Sequence, residues 1–195
     1  MQINDAMNLV LPVGDGLHAY HTPISRQIYE AHYSVLNATK AALARKGIHY
    51  QMGSGPRIAN LVLKDEGLKD AAERENFDAQ GKPVDDRTPA LLAEIKRLTN
   101  VLCPGLAGWD LLPVDTAISQ GRMDAEDYAE LEAALCFFTC HVMPAKKTNR
   151  ASIAKATASV LSGSTTSSPP MEYAASSLTL TKAAPTPNQA SSLPL

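Results

Sequence analysis

Asn8-Leu9-Val10-Leu11-Pro12-Val13-Gly14-Asp15-Gly16-Leu17-His18-Ala19-Tyr20-His21 places two short apolar runs on either side of a glycine-rich connection. Two glycines and an aspartate in that connection supply the positive φ that a tight reversal demands. The stretch therefore predicts a small N-terminal β-hairpin, with strands over 8–12 and 17–21. Most of the remaining chain reads as helix. The expected fold is mainly α, an α+β chain in which a small hairpin accompanies a compact helical domain.

The helical signals run in order along the chain. Thr22-Pro23-Ile24-Ser25 opens a long helix, with Thr22 or Ser25 as cap and Pro23 in the first turn. Ile28, His32, Val35, Leu36, Thr39 and Leu43 then recur at helical spacing as far as Gly47. Ile48 to Met52 reads as a short strand before the breaker Gly53-Ser54-Gly55. Pro56 starts a second helix with a stripe of Ile58, Leu61, Val62, Leu68 and Ala72, weakened at Gly67. Polar residues 76–87 form a loop. Thr88-Pro89 restarts a helix carrying Leu91, Leu92, Ile95, Leu98 and Leu102, halted by Cys103-Pro104-Gly105. The stretch Leu106 to Pro113 holds the single tryptophan, Trp109, and is expected to fold back on the helices.

Asp115 can cap a short helix through Ile118, closed by Gly121. Asp124-Ala125-Glu126-Asp127 is an acidic start that suits the helix dipole. Behind it Tyr128, Leu131, Leu135, Phe138 and Val142 give the strongest helical period in the chain. A last helix spans about Ser152 to Leu161. The helical domain is thus expected over 1–161. Residues 162–195, rich in Ser, Thr, Pro and Ala, offer too little apolar surface to offset the entropy of ordering and are expected to form a disordered tail. Pro170-Met171-Glu172-Tyr173-Ala174-Ala175 is an amphipathic island within it, a docking peptide in outline.

A formal charge of −2 and a pI near 6.2 give no whole-chain argument for nucleic acid or for an anionic membrane surface as partners, and neither is expected. Charge is uneven, however. After Met143 come Lys146, Lys147, Arg150, Lys155 and Lys182 against a single acid, Glu172. Partner contacts are accordingly expected at Lys146, Lys147, Arg150, Lys155, Met171 and Tyr173. The N-terminus has no secretory pattern and no apolar run is long enough to span a bilayer, so the 3 cysteines read as reduced thiols of a cytosolic protein.

No catalytic, cofactor or metal residue is assigned. Cys136 and Cys140 share a helix face beside His141, but a structural zinc site needs four ligands, and buried free thiols are the commoner reading. His18 and His21, three apart on a strand, face opposite sides, one at the surface and one half-buried. Asn76-Phe77-Asp78-Ala79-Gln80-Gly81 begins like a calcium loop yet meets Arg87 where a bidentate Glu belongs. Gly53-Ser54-Gly55-Pro56 lacks the Lys-Ser/Thr of a phosphate loop.

Leu17 to Arg26, Leu92 to Leu98, Gly108 to Asp115 and Phe137 to Cys140 together resemble a small protein of the tail-gene cluster of siphovirus-type bacteriophages, specifically the tail assembly chaperones. The resemblance runs over most of residues 7–175 and implies a non-enzymatic protein of the host bacterial cytoplasm. Its partners would be the tape-measure protein and the tail tube subunits, with no nucleic acid and no membrane, and self-association as a homo-oligomer is compatible with such a protein. The alternative it leaves open is a permanent virion subunit, a head-tail adaptor or tail-completion protein.

Overall fold

The computed structural model describes residues 7–14, 16–45, 54–106 and 108–176. The expected strand at Ile48 to Met52, the cap at Gly47 and the tail beyond Ser176 lie outside them. The chain is a mixed α+β fold, with a five-stranded antiparallel sheet carrying a helical layer on one face.

The hairpin forms as its glycines predict, from β1 (Asn8–Val13) and β2 (Leu17–His21), with Leu11 opposite Ala19 and Leu9 opposite His21. It is the centre of a larger sheet rather than an isolated ribbon. β3 (Thr99–Gly105) pairs with β2, β4 (Gly108–Pro113) pairs with β3, and β5 (Ser164–Thr166) pairs with β1, for an order β4-β3-β2-β1-β5. The helix expected to reach Leu102 stops at Arg97. Thr99, Val101 and Cys103 favour a pleated surface over a helix, and Pro104 cannot occupy a helix interior. Pro104 is tolerated here because β3 pairs with β2 only as far as Leu102. The segment around Trp109 accordingly folds back on β3, not on the helices that precede it.

α1 (Arg26–Ala31) begins at Ser25, whose hydroxyl accepts from the Ile28 N–H at 3.3 Å, and ends at His32, where φ of −121° leaves the helical region. α2 (Tyr33–Arg45) continues from there, so the first long helix is in fact two. α3 (Gly55–Glu73) buries Ala59, Val62, Leu63, Gly67 and Ala71. The expected stripe is rotated: Leu61 and Leu68 face solvent, because small residues let α3 pack closely on its neighbours. α4 (Arg87–Arg97) and the short α5 (Val114–Ser119) come next. Asp115 does not cap α5; it lies in the first turn and pairs with Lys96. α6 (Ala125–Val142) is capped by Asp124, which accepts from the Asp127 N–H at 2.8 Å, and α7 (Lys147–Val160) starts a turn before Ser152.

Within 162–195, residues 164–176 are not the disordered tail that composition implies. β5 extends the sheet, and α8 (Pro170–Ser176) lies against its outer face. Ala174 and Tyr173 pack with Leu102, Trp109 and Leu111, a second small core on the side away from the helices. The low apolar content is sufficient because the sheet supplies the large side chains.

Three helices end in the same two-bond cap, with the residue after the C-cap in the left-handed region: Glu75 (φ 58°), Gly121 (φ 66°) and Ser162 (φ 56°). Only at Gly121 is the residue the expected glycine. Gly67 has a different role. A Cβ there would collide with the Asp85 carboxylate and the Thr88 hydroxyl. Asp85 cannot yield easily, since its Oδ1 accepts from the Arg87 and Thr88 N–H groups at 3.1 and 2.9 Å and so starts α4. Gly67→Ala is therefore expected to destabilise the protein by about 1–3 kcal/mol through overpacking, despite a helix-propensity gain of about 1 kcal/mol. A urea midpoint equal to or above wild type would contradict this packing.

Candidate functional site

An open cleft of about 260 Å³ lies where the hairpin turn meets three helices. β1 and its turn contribute Leu11, Val13 and Gly14, the α3 start Pro56 and Arg57, the first turns of α6 Asp127, Glu130, Leu131 and Ala134, and the α7 end Val160, Leu161 and Ser162. Its lining mixes apolar side chains at the floor with polar and charged groups around the rim. Gly14, at φ of 53°, is required here: a Cβ would lie 2.8 Å from both Asp127 carboxylate oxygens. Arg57 Nη2 donates to Glu130 Oε1 at 2.9 Å across the rim, in a solvent-screened pair that is easily broken. Asp127 and Glu130 against Arg57 leave the rim net acidic, and Asp124 and Glu126 of the same helix start add to it. Such a cleft can take an apolar side chain with a cation beside it.

The residues expected to contact partners lie elsewhere. Lys146, Lys147 and Arg150 gather at the start of α7, Lys146 and Lys147 exposed and Arg150 half-buried with Nη2 donating to the Ala145 carbonyl at 3.1 Å. Lys155 is exposed further along the helix. Met171 and Tyr173 sit on α8, where Met171 is exposed and the Tyr173 hydroxyl lies 3.0 Å from Ser164 Oγ. The six therefore occupy two separate elements. The cleft escapes sequence reading because its walls are contributed by segments far apart in the chain; its one local signal is the acidic start of α6.

The thiols are chemically quiet. Cys103, Cys136 and Cys140 are buried and unpaired with one another, and burial pushes Cys140 up to about 12 and Cys136 well above its ordinary value. Among the described residues, no three His, Cys, Asp or Glu side chains converge as metal ligands. A polar knot ties α3 to α6, with Glu132 accepting from Asn60 Nδ2 at 3.1 Å, Lys64 Nζ at 3.3 Å and the Tyr128 hydroxyl at 3.1 Å. Asp70 is a second such junction. Burial works against its ionisation, but hydrogen bonds from Ser34 and Arg74 and the charge of Arg87 outweigh it and hold the carboxyl below the ordinary range.

His18 and His21 do face opposite sides, yet neither lies at the surface. His18 is partly buried on the outer face, edge-on to Trp109 at 6.0 Å, while His21 is fully buried under the helices and edge-on to Phe138. The Thr99 hydroxyl donates to the Ile95 carbonyl at 2.7 Å, so at 2.9 Å it must accept from His21 Nδ1–H. That fixes the tautomer and leaves Nε2 a bare lone pair with no partner. Burial with no counter-charge lowers His21 to about 3.

Comparison of the chain with protein-family models, with curated proteins and with solved structures finds no match.

Because the folded state holds His21 neutral, stability is full above the unfolded value near 6.5 and falls as pH drops toward 3. Burial lowers His18, His32 and His141 in the same direction. Acidification from pH 7 to 5 is expected to cost about 2 kcal/mol through His21 alone. Urea denaturation should show the slope, and His21→Leu should flatten it; a wild-type profile flat between pH 7 and 5 would refute the neutral buried state.

Proposed function

We propose that this protein acts by binding other proteins rather than by catalysis, and that its cleft receives an apolar, basic segment of a helical client. The observation that carries this reading is the pairing of an apolar floor (Leu11, Val13, Leu131, Ala134, Leu161) with an acidic rim (Asp127, Glu130) at one accessible place. The buried, protonated thiols and the neutral buried histidine support a non-enzymatic role, since neither offers a nucleophile or base to solvent. Among the described residues no helix is long and apolar enough to cross a membrane.

Joined to the resemblance to phage tail proteins, this reading makes the protein a tail assembly chaperone in the host bacterial cytoplasm, with the tape-measure protein as helical client and the tail tube subunits as further partners. Co-expression with both should allow the client to be captured. Val160→Lys alters a partly exposed cleft residue outside the main core and sets a cation against the basic client. It is expected to weaken capture at least tenfold, equivalent to about 1.4 kcal/mol, while leaving the melting temperature unchanged. Recovery of neither partner by the wild-type protein would sink the assignment. A permanent virion subunit is the second reading, favoured by the exposed Leu61, Leu68 and Leu106, which a ring of copies would cover. Mass spectrometry of purified particles separates the two: a chaperone is absent, a subunit present in fixed ratio.

A further inference from the structure

We propose that the segment from Ser164 to Ser176 is an exchangeable arm, which leaves its own sheet and takes the same place on the sheet of a second copy of this chain, giving a two-fold dimer.

The arm covers more than it anchors. Beneath it lie Leu102, Trp109 and Leu111, and it meets them with Ala174 and the side of Tyr173. Its strand is three residues long, on the open edge of β1. Ser168 adds one bond to the sheet, its carbonyl accepting from the Tyr20 hydroxyl at 2.6 Å. Among the described residues no ion pair joins the arm to the rest of the chain. The face it covers, by contrast, is apolar, formed by Leu102, Trp109 and Leu111, and is more stable covered than open to water. The arm of a second copy is the one cover whose fit is already guaranteed, because every contact is reproduced residue for residue.

The connection between α7 and the arm supplies the bias. Ser162 holds the left-handed conformation at φ of 56°, and Gly163 passes so close to β1 that a Cβ would lie 2.5 Å from the Val10 carbonyl oxygen and from Leu11 Cδ2. The left-handed serine, which closes α7 and turns the chain back onto its own sheet, is disfavoured by its Cβ; an arm running outward lets it leave that conformation, and strained short hinges of this kind favour exchange. The proposal goes beyond the client-binding reading and does not depend on it.

Asn8 and Thr166 are register partners on β1 and β5, which makes exchange readable as a covalent bond. The native cysteines are buried and should stay silent. In a full-length chain carrying both N8C and T166C, oxidation at low concentration is expected to close an intramolecular disulfide. Full-length N8C and T166C chains, co-refolded at high concentration and then oxidised, are expected to give a disulfide-linked heterodimer that neither chain gives alone. Ser162→Pro, whose ring forbids positive φ, is expected to raise its yield several-fold, and Ser162→Gly, which relieves the strain of the closed form, to lower it. Exchange is overturned if the double variant closes internally while the mixed chains give no heterodimer above single-variant controls, whether residue 162 is the native serine or carries the Ser162→Pro change. It is equally overturned if Ser162→Pro and Ser162→Gly give equal yields.

Discussion

α6 has almost no polar side between Leu131 and Met143, and that single property organises the molecule. Leu131, Leu135 and Phe138 are buried as the period predicts, but so are Ala133, Cys136, Phe137, Thr139 and Cys140 on the remaining sides. A helix apolar all round must be enclosed. Here α2, α3, α4 and α7 enclose it and the sheet closes the layer, placing Phe138 against His21 of β2. The one carboxylate on the enclosed stretch, Glu132, is tolerated because Asn60, Lys64 and Tyr128 all donate to it.

Much of this architecture is legible in the residues, and some of the signals mislead. The hairpin, the acidic cap of α6 and the Pro56 start of α3 rest on local chemistry, and they form where expected. The role of the hairpin is harder to see. Leu9-Val10-Leu11 is continuous rather than alternating, which marks a strand covered on both faces, and all three are buried. β3 resembles helix because Leu98 and Leu102 extend a period of four, although Thr99, Val101 and Pro104 speak against it. On α3, counting large apolar residues points to Leu61 and Leu68, whereas the buried face is built from Ala59, Gly67 and Ala71.

The site is less legible than the fold for a related reason. A cleft shared by a hairpin turn, two helix starts and one helix end leaves no motif, since no two of its walls are neighbours in the chain. Single charged clusters such as Lys146, Lys147 and Arg150 catch the eye in a sequence; an acidic rim over an apolar floor exists only once the pieces meet. His21 shows the same limit: nothing in Tyr20-His21-Thr22 reveals that Thr99 will commit its only hydroxyl proton to Ile95.

The pairing of β1 with β5 also sets a schedule. β1 and β2 emerge first from the ribosome, β3 only at Thr99, and the strand that closes the other edge of β1 only at Ser164. At about 5–20 residues per second, the open edge and outer face of the hairpin wait roughly seven to thirty seconds for their cover. During that interval a nascent chain presents an unpaired strand to its neighbours on the same message. Completion of this sheet is thus tied to the arrival of Ser164–Thr166, and the crowding of chains at that moment bears on whether each sheet is finished by its own arm.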